Sequence, residues 1–212
     1  MSRETKYTAI ILKKQPLNEA DEIITFFTRE AGKIRALAKS VKLSKSKLQN
    51  ALQSLFLVNL TLAGKGSLPK IIGVQPVKIF AELRQNSDCI MRAYYACELV
   101  LKFMPDGQKN LKLFEFLSDF LTHLNSADPN LDSALAKFKA GFLSAIGLSP
   151  LFHQDLLNQP NNLKLCKRLE SAHFNDLANQ PTFLGLNDLQ KFLSNFIVQH
   201  LERPVNSESF VV

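Results

Sequence analysis

The apolar residues of this chain change their period near residue 80, and that switch constrains the fold more than any other feature. Upstream, β-branched and apolar runs alternate with polar residues; downstream, apolar positions recur every three or four. "YTAIILKK" from Tyr7, "EIITFFTRE" from Glu22 and "KIRALAK" from Lys33 read as strands. In the last of these Ile34, Ala36 and Ala38 face inward while Lys33 and Arg35 share the solvent face. "SLFLVNLTLAGKG" sets Phe56, Val58, Leu60 and Leu62 on one face ahead of a turn at Gly64 and Gly66, and "KIIGVQPVKIF" supplies a fifth strand.

Beyond Asp88 the period is helical. Ile90, Tyr94, Cys97, Leu101 and Met104 trace a first helix that "PDG" at Pro105 stops, and Leu113, Leu117, Phe120 and Leu124 trace a second. Asp128 is expected to cap a third, with Pro129 at its first position and Leu131, Leu135, Phe138 and Phe142 along it. Residues 148–182 hold Pro150, Pro160 and Pro181 and predict turns and short elements. Asn187 is expected to cap a last helix bearing Leu189, Phe192, Leu193, Phe196, Ile197 and Leu201, ended by Pro204. The predicted class is α+β with two domains. A five-stranded OB-type β-barrel occupies 1–80, and a mostly α-helical domain occupies 81–212.

Charge divides at the same place. Residues 1–80 hold 14 Lys and Arg against 5 Asp and Glu, a net +9, while 81–212 hold 12 against 14, a net −2. No acidic residue lies between Ala31 and Ala81. A patch of one sign selects polyanions, and small OB barrels handle single-stranded nucleic acid. The candidate contacts are Lys33, Arg35, Lys39, Lys42, Lys45 and Lys47, in "GKIRALAKSVKLSKSKLQNALQ". The plain alternative is a solvated face. Phosphate contacts by such residues predict binding with little base preference. Phe26, Phe27 and Phe56 belong to apolar strands, and core packing is expected for at least two of them; Tyr7 is the better candidate for an exposed ring.

Catalytic and metal signatures are absent. There is no G-x-S-x-G or H-E-x-x-H, and "GKGS" at Gly64 lacks the spacing of a phosphate loop and reads as a hairpin turn. His123, His153, His173 and His200 form no recognisable constellation, and Glu19, Asp21 and Glu22 read as a solvated loop that repels DNA locally. Cys89, Cys97 and Cys166 are an odd, widely spaced set, which suits apolar filler rather than disulfides or a metal knuckle. No cofactor is expected. The opening "MSRETKYTAIILKK" lacks a signal-peptide pattern and no apolar run would span a membrane, so the expectation is a cytoplasmic protein.

The order of these features resembles the RecO family of bacterial recombination mediators. "LKKQPLNEADEIITFFTREAGKIRALAKS" is similar to the family's opening "P-L-x-E-x-D", "FT-x-E-x-G-K-x-R" and "AKG" pattern, with Ser40 where glycine is usual. "KLQNALQSLFLVNLTLAGKGSLPKI", "FKAGFLSAIGLSP" and the closing "FIVQHLERPVNSESFVV" continue the likeness. The resemblance implies a non-enzymatic, nucleoid-associated protein that binds single- and double-stranded DNA and anneals complementary strands. With RecR, such a protein helps RecA replace single-strand binding protein. It also implies that the helical domain receives that protein's acidic C-terminal tail, for which Arg92 and Lys102 are candidate contacts. Many relatives carry two C-x-x-C pairs for a structural zinc; here the region offers only His153, Cys166 and His173, and no metal is expected. Two rival functions stay open: an RNA-binding OB protein, and an adaptor working through its helical domain.

Overall fold

The computed structural model describes residues 4–43, 46, 48–64, 66–127, 129–177, 183–200 and 205–207. Two compact units are present: residues 1–80 together with 104–114, and residues 81–103 together with 115–212.

Strands β1 (Glu4–Pro16), β2 (Glu22–Thr28), β3 (Gly32–Ala38), β4 (Leu57–Ala63) and β5 (Lys70–Lys78) close a barrel in the order β1-β2-β3-β5-β4. β1 is long enough to pair with two neighbours, meeting β4 through Glu4–Ile10 and β2 through Ala9–Pro16. A bulge between Ile11 and Lys13 separates most of the two pairings and lets the strand bend around the barrel. Closure comes from a parallel pairing of Leu37 with Lys70, where the Leu37 N–H donates to the Pro69 carbonyl at 2.9 Å.

Phe26, Ala36, Ala38, Val58, Leu60 and Leu62 fill the barrel, and Phe56 and Leu52 belong to the same core. Phe56, Val58, Leu60 and Leu62 therefore share the inner face that their spacing predicts. β2 shows weaker alternation because both of its faces are covered. Phe26 points into the barrel, whereas Phe27 on the opposite face is buried with its ring 6.0 Å from that of Phe114. Tyr7 corrects the expectation of an exposed ring: it is half-buried and packs on the barrel core.

The helical unit contains α1 (Ser87–Phe103), most of α2 (Leu111–Leu124), α3 (Leu131–Ala145), α4 (Gln154–Leu157), α5 (Pro160–Ser171), α6 (Phe174–Leu177) and α7 (Leu186–Gln199). α3 is the centre and packs on α1, α5, α6 and α7. Its burial extends around the helix and includes two lysines. Lys137 Nζ donates to the Leu169 carbonyl at 2.9 Å, and Lys139 Nζ donates to Ser194 Oγ at 2.6 Å while lying 5.1 Å from the centre of the Tyr95 ring. Burial holds the Lys137 pKa below the usual lysine range, although Glu170, Asp176 and Asp119 oppose it.

Two helix caps and one additional helix differ from the expectation. Asn130, not Asp128, caps α3: its side chain accepts from the Ser133 N–H at 3.2 Å. Asp128 lies outside the described residues, and Pro129 precedes the helix. The cap of α7 is Gly185 at φ 82°, so Asn187 falls inside the helix. Residues 148–182 also hold a three-turn helix, α5, which opens on Pro160 and buries Asn162, Leu165, Cys166 and Leu169 at helical spacing.

Candidate nucleic-acid interface

The β2–β3 hairpin aims the first two predicted contacts. Thr28 Oγ1 donates to the Gly32 carbonyl at 2.8 Å and accepts from the Ala31 N–H at 3.0 Å, fixing the turn. Ala36 and Ala38 then face the barrel, which turns Lys33 and Arg35 outward. They meet a carboxylate that the local sequence does not contain. Lys33 Nζ lies 3.4 Å from Asp106 Oδ1 and Arg35 Nε 3.8 Å from Asp106 Oδ2. The Lys33 side chain is only 13% exposed and that of Arg35 53%. Backbone atoms fix Asp106 against the strand. The Gly107 N–H donates to the Lys33 carbonyl at 2.8 Å, and Gly32, at φ 70°, sits so close to the Gln108 carbonyl oxygen that a Cβ would lie 1.9 Å from it.

The next two cations lie on a loop held by Asp21. Its Oδ1 accepts from the Ser40 N–H at 2.6 Å and its Oδ2 from Asn18 Nδ2 at 3.0 Å. These two bonds, aided by nearby Lys39, hold the Asp21 pKa below the usual carboxylate range. Lys42 is bound to the same turn through its N–H to the Ala20 carbonyl at 3.1 Å and its Nζ to the Asn18 carbonyl at 3.0 Å. Lys39 is exposed. Asp21 is thus the anchor of the basic loop, not a merely solvated charge. Ser40 has φ 54°, a conformation that glycine adopts without strain. Lys45 and Lys47 lie outside the described residues.

One cation escaped the sequence reading. Lys70, exposed at the start of β5, pairs with Leu37 and so shares the outer face with Lys33 and Arg35. Only the non-local strand order reveals it. Lys14, by contrast, pairs with Glu22 at 3.3 Å.

In the helical unit Arg92 and Lys102 already have carboxylate partners. Arg92 Nη2 lies 2.9 Å from Asp132 Oδ1, and Lys102 Nζ 3.1 Å from Glu98 Oε1. Glu98 also accepts from the N–H groups of Asn206 and Ser207, both at 2.9 Å, and from the Ser207 hydroxyl. Burial pushes the Glu98 pKa up, but these hydrogen bonds outweigh it and the net shift is downward. A different place combines cations with accessible apolar groups. A groove of about 810 Å³ is lined by Lys164, Leu165, Arg168, Phe183 and Leu184, with one carboxylate, Asp188, also on its wall. Leu184 is fully exposed, and the Arg168 guanidinium lies 4.6 Å from the centre of the Phe183 ring.

Among the described residues no group of three or more His, Cys, Asp or Glu is arranged to hold a metal ion. Cys89, Cys97 and Cys166 are free and buried, and burial raises the thiols of Cys97 and Cys166 to about 12. His123 is buried beside Phe174, and burial lowers its pKa. Among the described residues no helix is long and apolar enough to cross a membrane.

Two family models match the chain: "Recombination protein O N terminal" over residues 1–80 and "Recombination protein O C terminal" over 84–163. A Geobacter metallireducens protein named "DNA repair protein RecO" is 34% identical over 143 residues, covering 68% of this chain and 58% of that protein. A Dehalococcoides mccartyi protein of the same name is 34% identical over 146 residues, covering 68% of this chain and 57% of its own length. One from Acaryochloris marina is 34% identical over 155 residues, covering 72% and 53%. The matches therefore span less than two thirds of these relatives.

Proposed function

The chain belongs to the RecO family, and on that premise we propose that it serves DNA repair and recombination by binding DNA rather than by catalysing a reaction. The barrel is the DNA-binding part. Lys33, Arg35, Lys39 and Lys42 contact backbone phosphates of single and double strands, Lys70 widens the surface, and Lys45 and Lys47 of the same basic stretch are further phosphate contacts. The observation that carries this reading is the net +9 of residues 1–80, which coincide with the N-terminal family match. Exposed lysines and arginines position a phosphate chain without reading bases, as a mediator acting on any sequence requires.

Annealing of complementary strands, and assistance with RecR in placing RecA on strands coated by single-strand binding protein, complete the proposal. The acidic tail of that binding protein, with its apolar end, suits the groove of Lys164, Arg168, Phe183 and Leu184, where a fully exposed leucine lines the same groove as two cations. The deciding experiment is annealing of complementary DNA strands coated with single-strand binding protein. Acceleration by the purified protein is expected. A marked preference for RNA would favour an RNA-binding barrel, and absence of nucleic-acid binding would favour an adaptor.

A further inference from the structure

We propose that Asp106 is a built-in competitor for phosphate: its carboxylate occupies the Lys33–Arg35 position of the DNA surface and keeps binding there weak and reversible. The inference rests on the DNA-binding reading of the barrel. Each Asp106 oxygen faces a different cation, Oδ1 towards Lys33 and Oδ2 towards Arg35, as two oxygens of a bound phosphate would. The carboxylate is 57% exposed, so it can turn into water at small cost when a phosphate arrives. Its backbone cannot leave. Lys33 and Asp106 form a β-bridge, the Gly107 N–H is bonded to the Lys33 carbonyl, and the next residue abuts Gly32. A displaced Asp106 therefore stays beside the incoming phosphate as a like charge and favours its release, a useful property where strands must be exchanged.

The test is titration of the full chain with a fluorescent single-stranded oligonucleotide over a range of salt concentrations, with wild type and Asp106→Asn compared. The amide keeps the shape and removes the charge, while the bonds that seat the segment are made by the backbone. Asp106→Asn should bind about two- to fivefold more tightly at low salt. Its log–log salt slope should steepen by about 0.7 to 1.4, as the one or two phosphate contacts of Lys33 and Arg35 that Asp106 weakens by competition become full. In a Lys33→Ala/Arg35→Ala background the gain should vanish. Unchanged or weaker binding by Asp106→Asn, with normal wild-type binding, would overturn the competitor role alone; so would a gain that persists without Lys33 and Arg35. Binding by neither protein would overturn the DNA reading and this inference together. Should Asp106→Asn melt early, Asp106→Ser provides the same comparison.

Discussion

The Ser40 N–H donates to Asp21 Oδ1 at 2.6 Å from a backbone with φ 54°. A residue with a Cβ is strained there, and glycine is not. Ser40→Gly should therefore stabilise the protein by about 0.5–1 kcal/mol, provided the bond to Asp21 survives, and raise the melting temperature by a few degrees. A melting temperature at or below wild type would show that the strain is relieved some other way.

Asp21→Ala should have the opposite sense. It leaves the Ser40 N–H and the Asn18 amide without their acceptor and loosens the turn that holds Lys42. Because the Asp21 pKa is depressed, its contribution is fully present above the ordinary value of 3.8 and is lost as pH falls through the lower folded value. Faster amide exchange at Ser40 and Lys42 in the variant is the expected signature. Exchange rates equal to wild type would show that the loop is held without Asp21.

Much of the barrel was legible in the sequence because its strands obey one local rule. Phe56, Val58, Leu60 and Leu62 alternate and are all buried. The helices obeyed theirs less openly. Asn162, Leu165, Cys166 and Leu169 carry the i, i+3, i+4, i+7 signature of α5, but two of its four inward residues are not strongly apolar and three prolines surround the region. Asp128 and Asn130 are both sound capping types, and only the bond to Ser133 distinguishes the one used. At the site, the basic stretch was plain whereas its counter-charge was not. Asp106 sits in a "PDG" that reads locally as a helix stop, and its approach to Lys33 depends on chain packing that no local pattern encodes.

Glu98 should make the 205–207 segment pH-sensitive. Its folded pKa lies below the ordinary 4.5, so the hydrogen bonds to Asn206 and Ser207 are complete above that value and lost as pH falls through the folded one. Amide chemical shifts of Asn206 and Ser207 followed from about pH 7 to pH 3 should move together below the ordinary carboxylate range. In Glu98→Gln that transition should disappear. A transition retained in the variant would assign it to another group.

Gly141 on α3 leaves no room for a side chain: a Cβ there would lie 2.4 Å from Phe116 Cζ, while Phe116 stacks on Phe138 with ring centres 5.6 Å apart. Gly141→Ala should destabilise the protein by about 1–3 kcal/mol through overpacking, despite the better helix propensity of alanine. Chemical denaturation measures this. Stabilisation would mean that the Phe116 ring moves aside freely.

The groove beside α5 should bind an acidic peptide with an apolar terminus. Titration of the full chain with the tail peptide of single-strand binding protein should show saturable binding that Arg168→Ala weakens severalfold and Arg92→Ala leaves nearly unchanged, the latter already paired with Asp132. The reverse ranking would move the site to α1.

The most direct test of the central claim is the salt dependence of single-stranded DNA binding by a variant in which Lys39, Lys42, Lys45 and Lys47 are all replaced by Ala. With about four phosphate contacts the wild-type log–log slope should be near −3, from roughly −0.7 per contact. The variant should bind more weakly with a flatter slope. A folded variant with wild-type affinity and wild-type slope would show that the basic stretch is a solvated face and not the DNA site.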